Sequence, residues 1–71
     1  AQADELMLMG LRLREGMDLA RWHALSGRTL DADKEAFLIS HGLIERLGNS
    51  RLRCTPSGML VLDAVVADLA G

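Results

Sequence analysis

Residues 43–59 constrain the fold more tightly than any other stretch of the chain. Leu43-Ile44-Glu45-Arg46-Leu47 leads into Gly48-Asn49-Ser50, and Arg51-Leu52-Arg53-Cys54-Thr55 follows. The second run alternates, with Leu52 and Cys54 on one side and Arg51, Arg53 and Thr55 on the other. That period of two describes a strand with one buried face. The Gly-Asn-Ser tip supplies residues that tolerate the positive φ of a tight turn, so the two runs are expected to pair as a hairpin. Thr55-Pro56 then starts a helix: the threonine can cap it, and a proline at the first helical position loses no hydrogen bond. A hairpin running straight into a helix leaves few arrangements open to what precedes it.

What precedes it reads as three helices. The first covers about Ala3 to Arg14, with Leu6, Met9, Gly10 and Leu13 on one face at helical spacing. Met7, Leu8 and Leu11 widen that apolar surface. Asp4 and Glu5 suit the positive end of the helix dipole, and Arg12 and Arg14 the negative end; Gly16 turns the chain. The second helix begins near Asp18, a good N-cap, and runs through Leu19, Trp22 and Leu25 to Gly27. The third is capped by Asp31 or Asp33, carries Phe37, Leu38 and His41, and stops at Gly42. Separated by Gly27-Arg28-Thr29-Leu30, these two resemble a helix-turn-helix. In the closing helix, Met59, Leu62, Val66 and Leu69 form a stripe, and Leu60, Val61 and Val65 a second apolar flank. The expected fold is mainly α with a small β-hairpin (α+β): winged-helix-like, a helix-turn-helix followed by a wing and a C-terminal helix.

With 71 residues, residues 1–71 are expected to form one domain, and a chain of that length buries only a modest core. It begins Ala1-Gln2-Ala3-Asp4, without an initiator Met or a signal-type segment, as expected of a fragment of a longer protein. No apolar run is long enough for a membrane span. The net charge is −2 and the pI about 5.5, which argues against a dedicated nucleic-acid binder, since phosphate binding needs a concentrated positive field. The lone cysteine, Cys54, excludes an internal disulfide and fits a reducing compartment.

Residues able to carry chemistry are few. His23 and His41 stand on different helices, and a histidine at a helix C-terminus is explained by the dipole. Cys54, on the inward strand face, reads as a small buried hydrophobe. No Cys/His spacing suits zinc, the carboxylates sit mostly at helix starts, and no Gly-rich phosphate loop is present. Catalytic, cofactor-binding and metal-binding residues are therefore expected to be absent. Trp22 and Phe37 are expected in the core. Arg46, Arg51 and Arg53 cluster on the wing and would be the DNA contacts of a DNA-binding winged helix. Against that, the helix that would enter the major groove begins Asp31-Ala32-Asp33-Lys34-Glu35, which repels phosphate and offers no base-reading side chain.

The run Glu5-Leu6-Met7-Leu8-Met9-Gly10-Leu11-Arg12-Leu13-Arg14-Glu15-Gly16-Met17-Asp18 resembles the start of the C-terminal domain of the oxygen-independent coproporphyrinogen III oxidase-like family of radical S-adenosylmethionine proteins. Its Gly-Leu-Arg-Leu-Arg-Glu-Gly core looks closest to the haem-chaperone branch. Gly42-Leu43-Ile44-Glu45 and Leu52-Arg53-Cys54-Thr55-Pro56-Ser57-Gly58-Met59 resemble that domain's later signature. The resemblance implies a cytoplasmic parent with an N-terminal radical domain, whose Cys-x3-Cys-x2-Cys loop holds a [4Fe–4S] cluster beside S-adenosylmethionine. It also implies an association with porphyrin or haem. The segment at hand would be the accessory domain, holding no cofactor and packing against the radical domain. The first and last helices carry more apolar surface than a small core needs, and Met7, Leu8, Leu11, Leu60, Val61 and Val65 are the expected docking surface.

Overall fold

The computed structural model describes residues 2–70. In chain order it forms α1 (Gln2–Gly10), β1 (Met17–Asp18), α2 (Leu19–Ser26), α3 (Ala32–Ser40), β2 (Ile44–Leu47), β3 (Arg51–Cys54), α4 (Pro56–Met59) and α5 (Leu62–Ala70). The three strands make an antiparallel sheet in the order β1-β3-β2. The expected hairpin is β2–β3, with Ile44 opposite Cys54 and Leu47 opposite Arg51. The fold is the expected winged-helix-like α+β arrangement, with one strand more than the sequence announced. That strand, β1, sets Met17 opposite Leu52 and Asp18 opposite Arg51, so β3 is paired on both sides.

Local chemistry places the element ends. Asp18 leaves β1 and caps α2, its carboxylate accepting from the amides of Ala20 and Arg21. Asp31 does the same for α3 with Asp33 and Lys34, which decides between the two expected caps. At the far end of α3, the amide of Gly42 donates to Ile39 O and that of Leu43 to Leu38 O, the paired bonds of a Schellman stop. Thr55 caps α4 through the amide of Gly58 and donates its own hydroxyl to Gly42 O. One side chain therefore joins the end of α3 to the start of α4.

The core consists of Met7, Leu11, Met17, Leu19, Trp22, Leu38, Ile44, Leu52, Cys54, Val65 and Leu69. Each fully buried aliphatic side chain stabilises the fold by roughly 1.5–3 kcal/mol. Two glycines let backbones meet where any side chain would intrude. A Cβ on Gly10 would lie 2.8 Å from Met17 Cβ, and one on Gly58 would lie 1.8 Å from Leu43 O.

Four expectations are corrected. First, α1 ends at Gly10 instead of Arg14, and its buried face carries Met7 and Gly10, with Leu11 just beyond; Met9 and Leu13 point outward. Arg12 and Arg14 accordingly lie in a loop, not at a helix terminus. Second, Phe37 is 56% exposed, its ring 4.1 Å from that of His41, whereas Trp22 is buried as expected. Third, the closing helix is broken into α4 and α5, and Val65 and Leu69 are its buried residues while Met59 is exposed. Fourth, of the expected docking surface, Met7, Leu11 and Val65 belong to this chain's own core, leaving only Leu8, Leu60 and Val61 exposed.

Candidate functional site

Between α1 and β1, residues 11–16 form a loop that β3 holds in place. Leu11 O accepts from the amide of Cys54 at 2.9 Å. Arg14 O accepts from the Arg53 guanidinium at 2.7 Å, and Gly16 O from that of Arg51 at 3.2 Å. Gly16 has φ +78°, and a Cβ there would sit 2.8 Å from Leu52 O, so the loop lies directly on the sheet. Its exit passes straight into β1. The loop is thus fixed by main-chain and guanidinium bonds, leaving the side chains of Arg12, Leu13 and Arg14 free to face solvent.

All three are exposed. Leu13 is 48% exposed, and neither Arg12 nor Arg14 makes a side-chain hydrogen bond or ion pair among the described residues. Leu13 stands where two shallow grooves meet. One runs between α1 and α2 and is lined by Leu6, Met9, Leu13, Leu25 and Arg21. The other lies between the loop, the hairpin and α4, with Leu13, Arg14, Arg53, Cys54 and Met59 on its walls. Leu25, Met9, Leu13 and Met59 are all among the exposed large hydrophobic residues. Together they make an apolar strip, with Arg21, Arg12, Arg14 and Arg53 beside it.

The wing arginines, by contrast, are engaged inside the molecule. Arg46 forms an ion pair with Glu35 of α3, which pushes its pKa up further through that hydrogen bond. Arg53 pairs with Glu45 across the hairpin at 2.6 Å, and Arg51 is directed at Gly16 O. The cluster seen in the sequence is therefore split among three local tasks, none of which presents it as a set.

The candidate ligands are likewise dispersed. His41 lies at the end of α3, its Nδ1 2.9 Å from Phe37 O and 3.2 Å from Ser40 Oγ. His23 is on α2, its ring 5.7 Å from that of Trp22. Cys54 is buried in β3, and burial pushes its thiol pKa up, the opposite of what a reactive thiolate needs. Among the described residues no group of three His, Cys, Asp or Glu side chains could hold a metal ion. No helix there is long and apolar enough to cross a membrane.

Residues 1–61 match the family model described as the HemN C-terminal domain. The chain belongs to that family. No curated protein and no solved structure matches it. In this HemN C-terminal domain the motif Gly10-Leu11-Arg12-Leu13-Arg14-Glu15-Gly16 acquires a physical reading. Gly10, Leu11 and Gly16 are fixed by packing against β1 and β3, while the Arg-Leu-Arg between them is turned outward. Sequence reasoning missed this surface because it continued α1 through Arg14. The available signal was an apolar residue between two arginines, immediately before a turn glycine.

Proposed function

We propose that this chain is the non-catalytic accessory domain of a cytoplasmic radical S-adenosylmethionine protein of the oxygen-independent coproporphyrinogen III oxidase-like kind, and that it packs against the radical domain. The observation that carries this reading is the family match over residues 1–61, which includes both motif regions. The cofactors of such a parent do not fit this chain. A [4Fe–4S] cluster on a Cys-x3-Cys-x2-Cys loop needs three thiolates, and the chain has one cysteine, buried in the sheet. The cluster and S-adenosylmethionine are therefore assigned to the preceding domain, and the contribution of this one is to hold and cover.

The parent is read as belonging to the haem-transfer branch, on the Gly-Leu-Arg-Leu-Arg-Glu-Gly motif, or else as a decarboxylating oxidase acting on coproporphyrinogen III. The first test is the coding sequence upstream of Ala1. A Cys-x3-Cys-x2-Cys motif there, with about four iron atoms per chain in the purified full-length protein, is the expected result. Absence of the motif removes the assignment. Haem titration then separates the branches: stoichiometric binding with a Soret shift supports transfer, and turnover of coproporphyrinogen III without such binding supports the oxidase.

A further inference from the structure

We infer that the strip formed by Leu25, Met9, Leu13 and Met59, with Arg12, Arg14 and Arg21 beside it, is the face through which this domain docks, and that its partner is an acidic protein surface with an apolar centre, carried by the radical domain. The inference rests on the parentage proposed above. The fold spends three anchors, from Cys54 N, Arg53 and Arg51, on a loop whose outward side chains add nothing to the core. A fixed presentation of this kind lowers the ordering cost of association.

Charge argues for the nature of the partner. The chain carries a net charge of −2, yet the two grooves are lined by Arg12, Arg14, Arg21 and Arg53 against Glu5 and Glu45. Glu45 is already taken by Arg53. An acidic surface is complementary to what remains, and complementarity of this sort fixes register more than raw affinity. A small ligand would need an enclosed cavity that buries most of its surface, whereas these grooves are open. A nucleic-acid backbone would leave Met9 and Leu25 facing phosphate. An acidic protein surface with an apolar centre satisfies both the strip and its rim. Tethering within one chain raises the effective concentration to about the millimolar range, so a strip of this size is enough.

The test uses the full-length protein with Leu13→Cys, or with Lys34→Cys on α3 as a control that lines neither groove. Maleimide labelling is read peptide by peptide, and each rate is normalised to the same site in denaturant. Cys54, buried, reports in the same sample that the domain is folded by staying unlabelled. With rates normalised in this way, undocked thiols at positions 13 and 34 would react at comparable rates, since the flanking arginines at 13 and the start of α3 at 34 both favour the thiolate. The expected result is position 13 slower by about ten-fold or more, and the difference abolished by Arg12→Glu with Arg14→Glu. Equal rates at the two positions overturn the inference. Slow labelling at position 13 that is indifferent to the charge reversals overturns the acidic partner. An upstream chain lacking the Cys-x3-Cys-x2-Cys motif sinks the parentage alone, while charge-sensitive protection at position 13 still supports an acidic partner on this face.

Discussion

Gly58 shows how a single residue can be read from both directions. Its place after Thr55-Pro56 looked like part of a motif; its role is the approach of α4 to the chain leaving α3, where a Cβ would overlap Leu43 O at 1.8 Å. Backbone, unlike a flexible side chain, cannot rotate away, so Gly58→Ala must move α4. The expected cost exceeds about 3 kcal/mol, above the usual range for overpacking. Gly10→Ala meets Met17 Cβ at 2.8 Å and should cost about 1–3 kcal/mol. Urea unfolding of both variants checks the order, and a Gly58→Ala midpoint equal to wild type would contradict the packing. Cys54 yields a prediction of a different kind. Burial raises its thiol pKa, so over the interval above the ordinary thiol value the folded state keeps a proton that the unfolded chain has released. Stability is then complete below that value, about 8.5, and falls as pH rises towards the folded pKa. Cys54→Ala should flatten that alkaline decline, measured as the urea midpoint against pH. A sequence can point to such residues as glycine or cysteine in context; it does not show the oxygen 1.8 Å away.

At the scale of elements, capping was the most legible signal. Asp18 and Thr55 each cap the helix expected of them, and Asp31, one of two candidates, caps α3, because the interaction is local and its geometry is set within three residues. Thr55 does more than cap, since its hydroxyl also donates to Gly42 O. Thr55→Val should therefore cost more than the typical capping loss of about 1 kcal/mol. Asp18→Ala should stay near that figure, and thermal unfolding of the pair tests the difference. Elements fixed by distant partners were illegible. β1 is two residues long, too short for a period, and exists because β3 offers it a free edge. The buried face of α1 was misread because Leu6, Met7, Leu8, Met9, Leu11 and Leu13 offer more than one helical stripe. Contact of Gly10 with Met17 selects the stripe through Met7 and Leu11 and turns Met9 and Leu13 outward. The same selection created the candidate site, so the site was hidden by the same ambiguity. The break after Met59 had no signal beyond the run of apolar residues, and it leaves Leu60 86% exposed.

On the scale of the whole molecule, the order helix, strand, helix-turn-helix and wing is shared by proteins that bind DNA, and fold alone does not choose between that use and another. Charge placement argues against duplex binding by the wing. Duplex binding requires several cations free to displace counterions together, and the wing offers none as a set: Arg46 is held by Glu35, Arg53 by Glu45, and Arg51 faces Gly16 O. Bringing Arg46 or Arg53 to a phosphate would first break an existing ion pair, which offsets part of the gain. The helix in the recognition position adds Asp31 and Asp33 at its start, where the dipole would otherwise attract phosphate. Fluorescence anisotropy with a labelled duplex should therefore show no saturable binding at about 0.15 M salt, an ionic strength that screens exposed charges beyond about 8 Å. Neutralising Arg51 and Arg53 to Gln should leave that result unchanged while loosening the loop they anchor, seen as faster amide exchange at residues 12–16. Submicromolar binding with a steep salt dependence that the double variant abolishes would reverse the assignment of these arginines from internal anchors to phosphate contacts.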